Sequence, residues 1–197
     1  MKTWCYGKRE GYELSSTTVV KLDRILIYMK ESSLMQRCLF KNDARPDDIV
    51  YTPDAVAFDI VNYFKPSGLC LEPCAGDGVF LKYLPKDADS CEVRNGLDFF
   101  DYHKIVDWIV GNPPYSIFIE FLRHSFKIAN NVVYIVPINK IFQSFKVMDT
   151  ISRYGGIKVM LAYGGGTRIG FPFGFPVGAF HFEKGYKGKT YIEFRYI

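Results

Sequence analysis

The segment Gly68-Leu-Cys-Leu-Glu-Pro-Cys-Ala-Gly-Asp-Gly78 decides how this chain folds. Its first part, residues 68–72, is a short apolar run of the kind found in buried parallel strands. Its second part is a tight glycine turn, from which we predict a short helix that ends near Leu84. A strand followed by a glycine turn and a helix places backbone N–H groups at the carboxyl edge of a sheet, where open α/β sheets bind ligands.

Alternating strand and helix signals extend from this segment in both directions. Before it, Thr52-Pro53 opens a helix with an apolar face between Val56 and Phe64. After it, the pattern predicts strands at 90–94, 108–111, 132–136 and 157–162, helices at 117–128 and 139–153, and a hairpin formed by 177–183 and 190–196. We therefore predict a doubly wound, Rossmann-like α/β sheet that is mostly parallel and ends in an antiparallel C-terminal hairpin.

Length and composition limit the kinds of protein this chain can be. It has 197 residues, 48% of them hydrophobic, so we expect one main domain at 49–197. An N-terminal extension at 1–48 precedes it, and the sequence fits either a small helical appendage or a strand-capping arm. No apolar run is long enough for a membrane span, and charges near the start argue against a signal peptide. With five cysteines, no CxxC pair and three histidines, we expect a cytoplasmic protein with reduced thiols and no metal.

Acidic residues around the glycine turn indicate the charge of its ligand. Glu72 and Asp77 would repel a pyrophosphate but suit a cation. Glu92 lies 20 residues beyond Glu72, where an acid can accept both hydroxyls of a ribose, and a solvated charge is an equal alternative. Asp98 and Phe99 in the next turn suit an adenine, although a turn aspartate beside a core phenylalanine would have the same sequence.

The segment Asn112-Pro113-Pro114-Tyr115 is the sharpest chemical signal in the chain. The two prolines fix φ and donate no ladder hydrogen bonds, so the strand at 108–111 stops here. The carbonyl groups of Asn112 and Pro113, together with the Asn112 side chain, can hold an –NH2 group by both hydrogens and direct its lone pair towards an electrophile. Tyr115 supplies a flat face for a base. A turn with a buried tyrosine is the alternative interpretation.

Together, the two segments resemble the S-adenosylmethionine-dependent amino-methyltransferases. The resemblance covers roughly residues 50–183 and is closest to the DNA adenine-N6 methyltransferases. The stretch Tyr51-Thr52-Pro53 is similar to the additional cofactor segment of that family, and its position before the other motifs resembles the gamma-type order. The resemblance implies a class I methyltransferase domain, S-adenosyl-L-methionine as the cofactor, and DNA, or alternatively RNA, as the partner.

The resemblance also implies a role for each matching residue. Those expected to bind the cofactor are Tyr51, Thr52, Pro53, Glu72, Pro73, Cys74, Gly76, Glu92, Asp98, Phe99 and Asn112. Within this set, Thr52 and Pro53 would border the methionine carboxylate, and Glu72, Cys74 and Gly76 would line the methionine and sulfonium part. Glu92 would bind the ribose hydroxyls, and Asp98 and Phe99 would bind the adenine. The segment Asn112-Pro113-Pro114-Tyr115 would be catalytic, with Tyr115 stacked on the target base. Phe171, Phe173 and Phe175 compete for the other face of that base.

The residues leave the substrate open. DNA adenine-N6 methylation is the expected reaction, and the alternatives are RNA adenine methylation, protein-glutamine methylation and a non-catalytic nucleic-acid-binding subunit. Residues 145–197 contain eight Lys and Arg against three acids, which favours a polyanion but also fits a solvated face. We expect phosphate contacts from Lys184, Lys187, Lys189 and Arg195. Because about 14 residues follow Glu183, we expect a short or relaxed target, or specificity from a partner subunit or homo-oligomer.

Overall fold

The computed structural model of the protein describes residues 49–197, so the predicted N-terminal extension at 1–48 lies outside the described residues. The helices of this part are α1 (Asp54–Phe64), α2 (Phe118–Ile128), α3 (Ile138–Phe142) and α4 (Phe145–Tyr154). The strands are β1 (Cys70–Glu72), β2 (Asp89–Ser90), β3 (Val106–Gly111), β4 (Ala129–Pro137), β5 (Gly155–Gly165), β6 (Pro176–Lys184) and β7 (Tyr191–Phe194).

The strands form one mixed sheet in the order β2-β1-β3-β4-β6-β5-β7. Among the described strands, β6 alone runs antiparallel to its neighbours, and the others share one direction. The doubly wound, mostly parallel sheet is therefore confirmed. The strand order reverses at β1, because β2 pairs on one side of it and β3 on the other. Such a switch point opens a crevice at the carboxyl ends of the strands.

Helices cover both faces of the sheet with apolar side chains. On one face, α1 buries Val56, Ala57 and Ile60 in one hydrophobic cluster. On the other, α2 and α4 bury Leu122 and Ile151 in a second cluster. α1 begins at Asp54, so the Thr52-Pro53 pair precedes the helix instead of forming its first turn. The helix predicted at 139–153 is two helices, α3 and α4, separated by residues 143–144.

The predicted C-terminal hairpin is wrong in its pairing. β6 pairs antiparallel with β4 and β5, and β7 lies parallel to β5 on its far side. The connection after β6 is bound to the junction of α4 and β5, where Lys187 Nζ donates to the carbonyls of Ser152 (2.7 Å) and Gly155 (3.2 Å). These contacts carry the chain across the start of β5, so β7 reaches the outer edge of that strand.

The helix predicted after the glycine turn is also absent, since residues 73–84 form successive turns. Gly76 and Gly78 have φ values of 55° and 74°, in the left-handed region that interrupts a right-handed helix. Pro85 follows closely, so this segment forms little more than one turn. In that turn the N–H groups of Tyr83 and Leu84 both donate to the carbonyl of Phe80. The predicted strand at 90–94 is shorter than expected, because β2 ends at Ser90 and Glu92 caps a 3₁₀ turn at Val93–Asn95.

Candidate functional site

The carboxyl ends of β1 and β3 meet at a cavity of about 260 Å³. Its walls come from the segment before α1, the glycine turn and the end of β3. They comprise Val50, Tyr51, Thr52, Asp54, Glu72, Cys74, Ala75, Gly76, Asp77, Val79, Phe80, Lys82 and Asn112. The two strand ends approach closely because Gly111 has no side chain, and a Cβ there would lie 3.1 Å from Pro73 Cδ. The structure therefore brings the two predicted motifs to one cavity.

The Asn112 side chain has a defined orientation. Its Nδ2 donates to the carbonyl of Val50 at 2.9 Å, while its Oδ1 is buried without a hydrogen-bond partner. A buried amide oxygen without a donor is costly, so this residue of the cavity wall holds an unused acceptor suited to an N–H group. The backbone carbonyl of Asn112 is already engaged, because it accepts from Cys74 Sγ at 3.1 Å.

Glu72 supplies a second unsatisfied acceptor in the same wall. Its side chain is 1% exposed, and Oε2 has no hydrogen-bond partner. Burial disfavours the carboxylate and, with the nearby charge of Glu92, raises the pKa of Glu72 to about 8. At neutral pH the group is therefore mainly protonated, and a bound cation would favour its ionisation.

The predicted ribose ligand Glu92 is occupied by protein groups. One carboxylate oxygen accepts from the N–H of Gly76 at 2.8 Å, and the other accepts from Arg94 Nε at 2.9 Å. Burial opposes ionisation of Glu92, but the bonds from Arg94 and Gly76 outweigh it and lower the pKa of the carboxyl group. Arg94 Nη1 also donates to the hydroxyl of Tyr51 at 3.3 Å. Arg94 thus links Glu92 to Tyr51, a residue of the cavity wall, and sequence reasoning missed it.

Other predicted cofactor residues lie away from the cavity wall. Phe99 is 3% exposed in the core, with its ring centroid 4.9 Å from that of Phe121. Asp98 accepts from the N–H of Phe100 at 2.9 Å and caps a 3₁₀ turn. Pro53 and Pro73 flank residues of the wall but are not part of it. The structure therefore brings together the residues predicted for the methionine end, and not those predicted for the adenine.

The residues predicted to bind the base lie at the same edge of the sheet. Pro113 is buried and Pro114 half-buried directly after β3, and the ring centroid of Tyr115 lies 6.2 Å from that of Phe173. Phe173 stacks against Phe171 on one side, at 5.2 Å, and against Phe175 on the other, at 4.0 Å.

The three phenylalanines differ in accessibility. Phe171 is buried and Phe173 half-buried between its neighbours, whereas Phe175 is 45% exposed. Among the three rings, Phe175 is therefore the one that is accessible from outside. This difference separates three residues that the sequence left equivalent.

The basic C-terminal residues do not form one free face. Arg195 binds Asp59, a buried carboxylate of α1, and also Glu193. Lys187 binds the carbonyls at the start of β5. Lys184 ends β6, which places it at the edge of the sheet opposite the cavity because β6 runs antiparallel. Arg168 follows β5 at the cavity edge, is exposed, and has no ion-pair partner among the described residues.

Solved structures that resemble this chain include a class I methyltransferase and subunits of restriction-modification systems. A Listeria monocytogenes protein assigned to the class I S-adenosylmethionine-dependent methyltransferases matches with a TM-score of 0.55 and 12% identity, over 73% of this chain and 65% of that one. The M protein of the type I restriction enzyme EcoKI (EC 2.1.1.72) matches with a TM-score of 0.55 and 16% identity, over 75% and 46%. The methyltransferase subunit of a type I restriction-modification system from Streptococcus thermophilus matches with a TM-score of 0.53 and 12% identity, over 74% and 47%.

These likenesses establish the Rossmann-like class I methyltransferase fold. The chain spans 65% of the Listeria structure and less than half of the two restriction-system subunits. The sequence matches no protein-family model and no curated protein. Within residues 49–197, no helix has the length and apolar character needed to cross a bilayer, and no three His, Cys, Asp or Glu side chains are grouped to hold a metal ion.

Proposed function

We propose that this chain transfers a methyl group from S-adenosylmethionine to the exocyclic N6 amino group of adenine in DNA. The observation that carries the proposal is the buried Oδ1 of Asn112, which lacks a donor in the cavity that it shares with Glu72. The class I methyltransferase fold and the restriction-system subunits among its structural neighbours support the same reaction.

The residues present fit the methionine and sulfonium end of the cofactor. The unsatisfied carboxyl of Glu72 suits a positively charged group, and Gly76 leaves the main chain open to close approach. When bound, S-adenosylmethionine would supply an electrophilic methyl group. For Glu92 to bind the ribose of the adenosine end, Arg94 would first have to release its carboxylate.

Asn112 would act by positioning the nucleophile. Its Oδ1 and the carbonyl of Pro113 would accept the two hydrogens of the target amino group, which directs the nitrogen lone pair out of the plane of the base. The adenine must leave its stack to reach this cavity, and Tyr115 would support it there. Most of the acceleration would come from orientation and preorganised acceptors, so no strong general base is required.

The test is the product made by the full chain from labelled cofactor with DNA, RNA or a glutamine-containing peptide as acceptor. We expect nucleoside mass spectrometry to detect N6-methyladenine in DNA. Asn112→Ala should reduce turnover by on the order of 10²-fold and leave cofactor affinity nearly unchanged. Asn130→Ala, at the exposed opposite end of β4, is the matched control. If the label appears in the peptide or in RNA but not in DNA, the substrate assignment is wrong.

We also propose that a partner helps to select the target. The chain spans 46% of the EcoKI M protein, and a reader of several base pairs needs a contact surface on the order of 1,000 Å². Sequencing the methylated sites should therefore reveal a short or relaxed target for the isolated chain. A long, unique site would contradict this part of the proposal.

A further inference from the structure

The outer edge of β7 is an exposed strand edge with an apolar sequence. Within residues 49–197, β7 is the last strand of the sheet, and β5 is its single neighbour. The side chains of Tyr191, Ile192, Phe194, Tyr196 and Ile197 are all exposed, Phe194 by 69% and Tyr196 by 81%. Exposed edges are usually protected by charged side chains, proline or a bulge. Residues 191–197 contain no lysine or proline, and their two charged residues, Glu193 and Arg195, are paired with each other. This edge is therefore suited to pairing with another strand.

The backbone of this segment has unpaired groups directed outwards. The N–H of Arg195 donates to the carbonyl of Ala162 in β5 at 2.9 Å, so the peptide groups of Arg195 face β5. Because consecutive residues of a strand alternate in direction, the N–H and C=O groups of Ile192 and Phe194 in β7 face away from β5. Each of these two residues offers one donor and one acceptor to an added strand.

The sequence of the edge is complementary to itself in reverse. When two copies of Tyr-Ile-Glu-Phe-Arg-Tyr-Ile (191–197) run antiparallel with Phe194 opposite Phe194, Glu193 lies opposite Arg195. In the same register, Ile192 lies opposite Tyr196 and Tyr191 opposite Ile197. Every charge then meets its opposite, and every apolar residue meets an apolar one.

A neighbouring register loses this match. Pairing centred on Glu193 places two carboxylates opposite each other, which is unfavourable. It also places Arg195 opposite Tyr191, so the match between Glu193 and Arg195 is lost. From this complementarity we propose that two copies of the chain associate through antiparallel pairing of their β7 edges, with Phe194 on the two-fold axis.

Surfaces on both sides of the strand suit this dimer. On the α1 face, Asp59 holds the guanidinium of Arg195 with an Nε–Oδ2 distance of 3.0 Å, so the charge lies in a defined position. On the opposite face, Ile192, Phe194 and Tyr196 form an apolar stripe. A groove of about 300 Å³, lined by residues of α3, α4 and β5 and reaching Thr190, lies two residues from Ile192. Tyr196 of the second copy would lie across from Ile192 and beside this groove.

The first test is the oligomeric state of the full chain, measured by sedimentation equilibrium over a range of concentrations. We expect a monomer–dimer equilibrium whose dissociation constant rises at least tenfold in Phe194→Glu, because two like charges then meet at the axis. Ile105→Glu, at a residue 61% exposed in the loop before β3, should leave the constant unchanged. A monomeric parent chain, or a dimer unaffected by Phe194→Glu, would overturn the proposal.

The second test examines the register. In a hydrogen-bonded antiparallel pair the Cα atoms lie about 5.5 Å apart, within reach of a disulfide. Phe194→Cys should therefore cross-link two copies under mild oxidation. Ile192→Cys should not, because its two copies would lie about 14 Å apart along the strands.

Non-reducing electrophoresis measures both variants against the parent chain, which has five cysteines of its own. A cross-link specific to Phe194→Cys supports the two-fold axis. Equal cross-linking of the two variants, or none in Phe194→Cys, would reject this register. Neither measurement depends on cofactor binding or methyl transfer.

Discussion

At the scale of single residues, the carboxyl group of Glu72 makes binding of a cation depend on pH. In the free protein its pKa is raised to about 8 by burial, so below pH 8 it is mainly protonated. A cationic cofactor favours the carboxylate, and binding must then release a proton. We expect the affinity for S-adenosylmethionine to rise about tenfold per pH unit below pH 7.5 and to level off above pH 8.

Calorimetry at several pH values measures this dependence. Glu72→Gln cannot ionise, so its pH profile contains the titration of the cofactor alone and serves as the control. The same slope in the parent and the variant would exclude a role for Glu72 in the proton release.

Arg94 offers a second prediction at this scale. Its guanidinium occupies the carboxylate of Glu92 and reaches the hydroxyl of Tyr51. If Glu92 accepts the ribose hydroxyls, Arg94→Met should strengthen the binding of adenosine, because no ion pair has to be broken first. The pair is half-exposed on the arginine side, so we expect an effect of about two- to fivefold.

Competition with S-adenosylmethionine measures adenosine binding in this variant. Lys104→Met, which removes a comparable ion pair with Asp89, is the control. Weaker adenosine binding in Arg94→Met would instead indicate that the arginine itself contacts the nucleoside.

At the scale of secondary structure, the junction between α4 and β5 depends on Gly155. A Cβ at this position would lie 2.1 Å from the carbonyl oxygen of Glu183, a backbone atom that cannot move without disturbing β6. We expect Gly155→Ala to lower the free energy of unfolding by more than about 2 kcal/mol, measured by denaturant titration. Gly174→Ala has no atom within 4 Å of its new Cβ and should change stability little.

The sequence predicted the elements better than their pairing. The apolar runs at 108–111 and 132–136 lie within β3 and β4, because a buried parallel strand needs a continuous apolar stretch. The partner of β7 depends instead on distant contacts, such as that of Lys187 with Ser152, which no local pattern contains. The helix expected before Leu84 failed for a local reason, the left-handed conformation of Gly76 and Gly78.

The same distinction applies to the candidate site. Asn112 and Glu72 were predicted because each directly follows or ends a recognisable strand, and parallel strands end at one edge. For Phe99 the sequence left a cofactor contact and a core position open, because it does not tell which side of the turn faces the core, and the structure buries the ring. Val50 acts through one hydrogen bond to Asn112 and Arg94 through two to Glu92, and nothing in their local sequence marks them.

At the scale of the described domain, the proposed contact with DNA depends on where each cation lies along the sheet. Arg168 lies at the cavity edge, whereas Lys184 lies at the opposite edge. We expect Arg168→Gln to weaken binding of duplex DNA and to reduce the slope of log K against log salt concentration by about one. Lys184→Gln, measured by the same fluorescence anisotropy titration, should leave both nearly unchanged. A larger loss of DNA binding in Lys184→Gln than in Arg168→Gln would indicate that DNA binds at the edge of the sheet opposite the cavity.

The hydrogen bond from Asn112 to the carbonyl of Val50 determines where the domain can be shortened. A fragment that begins after this residue would retain α1 and every strand of the described sheet. Its asparagine amide would nevertheless be able to rotate by half a turn and present –NH2 instead of oxygen to the cavity. Such a fragment would mimic an inactive protein although every residue of the Asn-Pro-Pro-Tyr segment is intact, so any expressed domain has to start ahead of Val50.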